Sequence, residues 1–169
     1  GLGIVIALLL VAAFAPFLAP YDYTAQDLMA RLKPPNSTHW FGTDDFGRDI
    51  FSRIIYGTRL TLEVVILVAL IAVPLGLLVG TVAGYCGGWI DTVLMRITDI
   101  FLSFPRLILA LAFAGALGPG IENAIIAISI TAWPPYARIA RAETLTVRHT
   151  DYIAAVRLQG AGPIRIIWG

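Results

Sequence analysis

The residues best suited to chemistry stand in one polar stretch, His39-Trp40-Phe41-Gly42-Thr43-Asp44-Asp45-Phe46-Gly47-Arg48-Asp49-Ile50-Phe51-Ser52-Arg53. Asp44, Asp45 and Asp49 are hard oxygen ligands, and the arginines beside them would suit a phosphate. Neither site is completed, because a calcium loop needs a carbonyl and a Glu at fixed later positions and this stretch has neither. The carboxylates read instead as capping and pairing groups, with Thr43 or Asp44 capping the helix that follows and Arg48 pairing with Asp49. Other chemistry is excluded on composition. The single lysine, Lys33, precedes Pro34, so no Gly-Lys-Ser/Thr loop exists to hold nucleotide phosphates. His39 and His149 are 110 residues apart and no His-Glu-x-x-His pair occurs. Ser103 and Ser129 lack the Gly-flanked turn of a serine nucleophile. The chain is expected to be no enzyme and to bind no metal or cofactor.

A second group of charges, Asp91, Arg96, Asp99 and Arg106, lies in the third apolar segment, where an ionisable side chain at membrane depth is functional by default, while Asp91 and Arg96 read better as lying at the membrane interface. Arg96 and Asp99 are three apart, share a helix face and are expected to pair. The setting is a membrane. Of the 169 residues 58% are hydrophobic and only 14% charged, against roughly 25% charged in soluble proteins. A net charge of +1 leaves no basic surface for nucleic acid. Cys86 is the only cysteine, which excludes an intrachain disulfide.

Four apolar segments must position these residues. Residues 1–21 carry no charge, and 2–18 are long enough to cross ~30 Å of hydrocarbon at about 1.5 Å per residue. A cleaved leader ending at Ala13-Phe14-Ala15 is the rival reading, disfavoured by the further segments. Residues 22–59 form the only long polar stretch, with five basic residues and five Asp. From Asp45 onward, Phe46, Ile50, Phe51, Ile54 and Ile55 recur at helical spacing, which predicts an interfacial helix ahead of the next span. Residues 64–89 are uncharged and form the clearest span, with Gly80 and Gly84 at a helix-packing spacing and a turn at Gly87-Gly88. Residues 89–117 predict a third span, and 124–136 a short fourth that Pro134-Pro135 interrupts and that continues through Arg141. From 138 onward five Arg face Glu143 and Asp151, an excess that marks a cytoplasmic side. Gly1 in place of an initiator Met, and an end within the apolar Ile166-Ile167-Trp168, predict a fragment.

At the end of the chain, residues 151–159 contain no helix breaker, and Gly160, Gly162 and Pro163 stop the helix and turn the chain. Ala154 and Ala155 present a small-residue surface ahead of this elbow. The stretch resembles the cytoplasmic Glu-Ala-Ala loop of the membrane subunits of bacterial binding-protein-dependent ABC importers. Ala155, Gly160 and Ala161 match, while Ala154 replaces the Glu and Val156 the second Ala. The loop at 42–53 closely resembles the Gly-Thr-Asp-x-x-Gly-Arg-Asp-x-x-Ser-Arg signature of the second permease subunit in the dipeptide, oligopeptide and nickel importers. Gly42, Thr43, Asp44, Gly47, Arg48, Asp49, Ser52 and Arg53 match it.

The resemblance implies an all-α, polytopic membrane bundle of the type I importer fold, here with about four spans and a coupling helix. It divides the chain into a first span (1–21), an external loop with an interfacial helix (22–59) and a permease core (60–169). It further implies that Asp151, Tyr152, Ala154, Ala155, Arg157, Gly160 and Ala161 contact an ATPase, and that ATP and Mg are held by partner subunits. The implied partners are a second homologous permease subunit, two ATPases, an external binding protein and the bilayer of a bacterial or archaeal inner membrane. The alternative is an ion-coupled secondary transporter using Asp99, Arg106 and Glu122.

Overall fold

The computed structural model describes residues 1–148, 150, 153, 158–160 and 162. Among them regular structure is helical, with no strand and one isolated bridge between Thr43 and Asp49. The helices are α1 (Leu2–Ala13), α2 (Ala15–Leu18), α3 (Ile50–Cys86), α4 (Gly88–Ser103), α5 (Arg106–Leu117), α6 (Ile121–Ala132) and α7 (Pro134–Val147). They fall into two compact units, 1–66 and 67–169.

In the first unit the apolar run expected as one span is two helices separated at Phe14. Pro16 explains the break, since it lacks the N–H that would bond one turn back and its ring crowds that turn. The polar loop is built from short Asx turns. Asp22 accepts from the Thr24 amide at 2.8 Å, Asp27 from Met29 at 3.0 Å and Asn36 from Thr38 at 2.9 Å. The interfacial helix expected ahead of the second span is not a separate element. α3 begins at Ile50 and runs 37 residues without interruption, because nothing from Ile50 to Glu63 is a breaker except the isolated Gly57. By length and composition, α3 is the one described helix able to cross a membrane alone.

The second unit contains the remainder of α3 and all of α4 to α7. Gly76, Gly80 and Gly84 recur one turn apart and face α7. An added Cβ at Gly76 would lie 2.5 Å from the Tyr136 Cβ, and one at Gly84 would lie 2.8 Å from the Thr144 Cβ. The packing expected of Gly80 and Gly84 therefore exists and extends a turn further, to Gly76. Ala72, Ala132, Trp133 and Ala137 form the buried core beside this seam, with Val68, Val79 and Phe101 packed on it. Phe101 meets Trp133 edge-on at 5.5 Å, a geometry that adds about 0.5–1.5 kcal/mol to simple burial.

Residues 89–117, expected as a third span, are α4 and α5, bent by 92°. Pro105 causes the bend: the residue before a proline is pushed out of the α region, and Phe104 sits at φ −92, ψ 143. α5 and α6 form a hairpin across Gly118-Pro119-Gly120. There the Asn123 amide donates to the carbonyls of Leu117, Gly118 and Pro119 at 3.0, 3.3 and 3.3 Å, satisfying groups the end of α5 leaves open. α6 gives way to α7 at Trp133, where Pro134 and Pro135 occupy a first helical turn, the place in a helix that tolerates proline.

Candidate functional site

The signature loop forms a closed cluster of polar contacts around two carboxylates. Asp44 accepts the backbone N–H of Phe46 (2.8 Å) and of Arg48 (3.0 Å) through Oδ1, and the Nε of Arg48 (2.8 Å) and Nη1 of Arg53 through Oδ2. Burial raises its carboxyl, but the N–H groups of Arg48 and Phe46 and the Arg48 guanidinium outweigh that and hold it down at about 2. Asp49 accepts the Ser52 amide at 2.8 Å, which makes it the cap of α3, and its other oxygen lies 2.9 Å from Nδ1 of His39. Burial pushes Asp49 up as well, and the Ser52 amide and His39 bring it below the ordinary carboxylate range.

Two local expectations are corrected. Asp49, not Thr43 or Asp44, caps α3, since the helix starts one residue after Asp49. Arg48 pairs with Asp44 rather than Asp49, because its backbone N–H and its Nε both reach the Asp44 carboxylate. Thr43 works elsewhere: its hydroxyl donates to the Ala30 carbonyl and accepts from the Lys33 amide at 2.9 Å, tying the loop to the stretch ahead of it. Gly47 has φ +74, and a Cβ there would run into the Asp27 carbonyl, so only glycine fits. Gly42, with φ +76 and the Lys33 carbonyl against it, is constrained alike. Ser52 is fully buried and its Oγ accepts from the Tyr21 amide at 3.2 Å. Each polar side chain of the signature thus bonds to groups of this loop or of the stretch just ahead of it, with only Arg53 of them exposed. Among the described residues no three His, Cys, Asp or Glu side chains are placed to share an ion.

The second cluster runs along α7 and just past its end. Arg141 meets Asp91 of α4 through Nε at 2.5 Å and Nη2 at 2.6 Å, and Arg138 meets Asp99 at 2.6 Å. The expected pairing of Arg96 with Asp99 is therefore not made: α7 brings Arg138 to the Asp99 carboxylate instead. Arg148 donates to the carbonyls of Gly84 and Tyr85 at 3.1 Å each. Beside it Thr81, Tyr85, Glu143, Val147 and Ile153 line a cleft of about 210 Å³. Pairs 39 and 50 residues apart leave no mark in the sequence that would reveal them. Asp99, Arg106 and Glu122 share no hydrogen bond or ion pair. Ser103 and Ser129 each donate to a carbonyl of their own helix, at 2.7 Å.

Of the residues expected to contact an ATPase, Asp151, Tyr152, Ala154, Ala155, Arg157 and Ala161 lie outside the described residues. Gly160 is described: it is exposed, has φ +83, and has no described residue within 4 Å of where a Cβ would go.

Residues 72–169 match the model for the binding-protein-dependent transport system inner membrane component, and residues 1–35 match the N-terminal TM domain of oligopeptide transport permease C. The chain belongs to the binding-protein-dependent permease family, and it is an all-α membrane protein of the type I importer fold. It is 44% identical over 99% of its length to the dipeptide transport system permease protein DppC of Alkalihalophilus pseudofirmus, covering 55% of that protein. It is also 44% identical to the probable D,D-dipeptide permease protein DdpC of Escherichia coli K12, over 97% of this chain and 55% of the relative. The nickel transport system permease protein NikC of the same strain is 44% identical, over 96% of this chain and 59% of the relative. The chain thus spans little more than half the length of these relatives.

Proposed function

We propose that this chain forms part of one membrane subunit of an ABC importer, lining a path for a small solute and coupling its passage to ATP hydrolysis in separate subunits. The family match over 72–169 carries this reading, because it takes in the glycine seam, the α4–α7 ion pairs and the stretch 151–162 together. The subunit pairs with a second, related permease, two ATPases and an external binding protein, and ATP and Mg belong to the ATPases. Its solute is peptide-like or a related small solute, a class suggested by relatives named for dipeptides and nickel. It sits as a multi-pass protein in a bacterial or archaeal inner membrane, with 22–59 outside and 138–162 in the cytoplasm. The arginine excess from 138 onward supports that orientation. An ion-coupled carrier finds no support: Asp99 is engaged by Arg138, and Arg106 and Glu122 do not join it.

The deciding measurement is uptake by the full-length protein, assembled with its partners in vesicles. Uptake is expected to require ATP on the ATPase side. Uptake that follows an imposed proton gradient without ATP overturns the assignment.

A further inference from the structure

We infer that Arg148 and Arg141, with Asp91 and Ile153, form a bracket that fastens the chain entering 151–162 to both α3 and α4. A displacement imposed on that stretch is then delivered to these helices as one body. The inference rests on the proposed function and names the residues through which its coupling passes.

Three contacts on three elements converge within a dozen residues of position 151. Arg141 grips Asp91, in the first turn of α4, with two nitrogens on two oxygens, the fork geometry that fixes orientation as well as distance. Both side chains are partly covered, at 33% and 18% exposure, so removing one partner leaves the other charge without its bidentate partner and only partly hydrated. Arg148, just past the end of α7, places one nitrogen on the Gly84 and Tyr85 carbonyls, at the end of α3 where helical partners run out and a cation is favoured. Ile153 is 8% exposed and lines the same cleft as Thr81 and Tyr85 of α3 and Val147 of α7. A fork, a carbonyl grip and an apolar contact thus hold the same stretch by three separate means. None of the four residues needs to touch solute or ATP, so they are positioning residues.

The test uses the full-length protein assembled with its ATPases in vesicles, and reads ATPase co-purification, basal hydrolysis and solute transported per ATP. Arg148→Gln and Asp91→Asn are expected to keep co-purification and basal hydrolysis near wild type. Solute per ATP should fall about fivefold or more, the lower end of what coupling between two sites delivers. Arg148→Lys, which retains the charge and a donor, should recover part of that ratio. The exchanged pair Asp91→Arg with Arg141→Asp should recover part of what Asp91→Asn loses. A purely structural role lowers the amount of complex but leaves the ratio unchanged in what survives. That result, or a wild-type ratio in Arg148→Gln, overturns the bracket and leaves the importer assignment standing. Failure of the assignment itself reads differently, since the wild-type protein would then neither co-purify an ATPase nor couple uptake to ATP.

Discussion

Gly80 of α3 lies so near Ala140 of α7 that a methyl group added at position 80 would sit 2.7 Å from the Ala140 Cβ. Real side chains do not approach that closely, so the two helices would have to separate. Gly80→Ala is expected to cost about 1–3 kcal/mol, the usual penalty of overpacking. Thermal unfolding of the detergent-solubilised protein checks this, with Gly115→Ala as control. Nothing lies within 4 Å of a Cβ at position 115, and that variant should be neutral or slightly stabilising.

The Asp44 cluster gives a pH dependence of defined sign. Its carboxyl titrates at about 2 in the folded loop against an ordinary 3.8, so its contribution is complete above about pH 4 and disappears as pH falls towards 2. Hydrogen-exchange protection of the Phe46 and Arg48 amides, corrected for intrinsic rate, should drop through that window. In Asp44→Asn the two amides should be less protected at neutral pH and show no such drop. The Ser52 amide, held by Asp49, should keep its own dependence in this variant.

Topology can be read with a membrane-impermeant thiol reagent in a Cys86→Ser background, a replacement made necessary because Cys86 is exposed. Ser37→Cys should label in intact cells and Thr150→Cys only after the membrane is opened. The opposite pattern would place 138–162 outside and remove the coupling assignment with it.

Gly160 separates two ways a substitution could act. Its φ of +83 strains most L side chains by about 1–2 kcal/mol, yet none of the described residues lies within 4 Å of a Cβ there, so no clash with them arises. Gly160→Asn, which tolerates this backbone, should keep ATPase association, whereas Gly160→Leu should weaken it while membrane insertion stays normal. Equal co-purification of the ATPase by the two variants would show that position 160 is not at the contact.

Much of this architecture was legible because its signals are local. The uncharged run after Glu63 announced α3, and Gly80 and Gly84 announced its packing. The start of α3 was misplaced because periodic apolar residues from Phe46 looked like an element of their own, although no breaker follows Ile55 strong enough to end it. The bend at Phe104 had its signal in Pro105, which a reading by hydropathy alone passes over. The helical pattern starting at Asp45 points to Thr43 or Asp44 as the cap, and only the backbone path, which starts α3 at Ile50, selects Asp49. The partners of Asp91, Asp99 and Arg148 were illegible in principle, since sequence separation does not encode which faces meet.

The glycine seam has a further consequence, for the axial offset of α3 and α7. Both helices run the same way, and Tyr136, Ala140 and Thr144 of α7 fill notches at Gly76, Gly80 and Gly84. Spaced four residues apart on each side, the series matches itself again after a slide of about 6 Å, four residues at 1.5 Å each. A ruler with equal graduations cannot say where zero is. The guanidinium of Arg148 on the last carbonyls of α3 has no equivalent one turn away, and it supplies the mark from which the offset is counted.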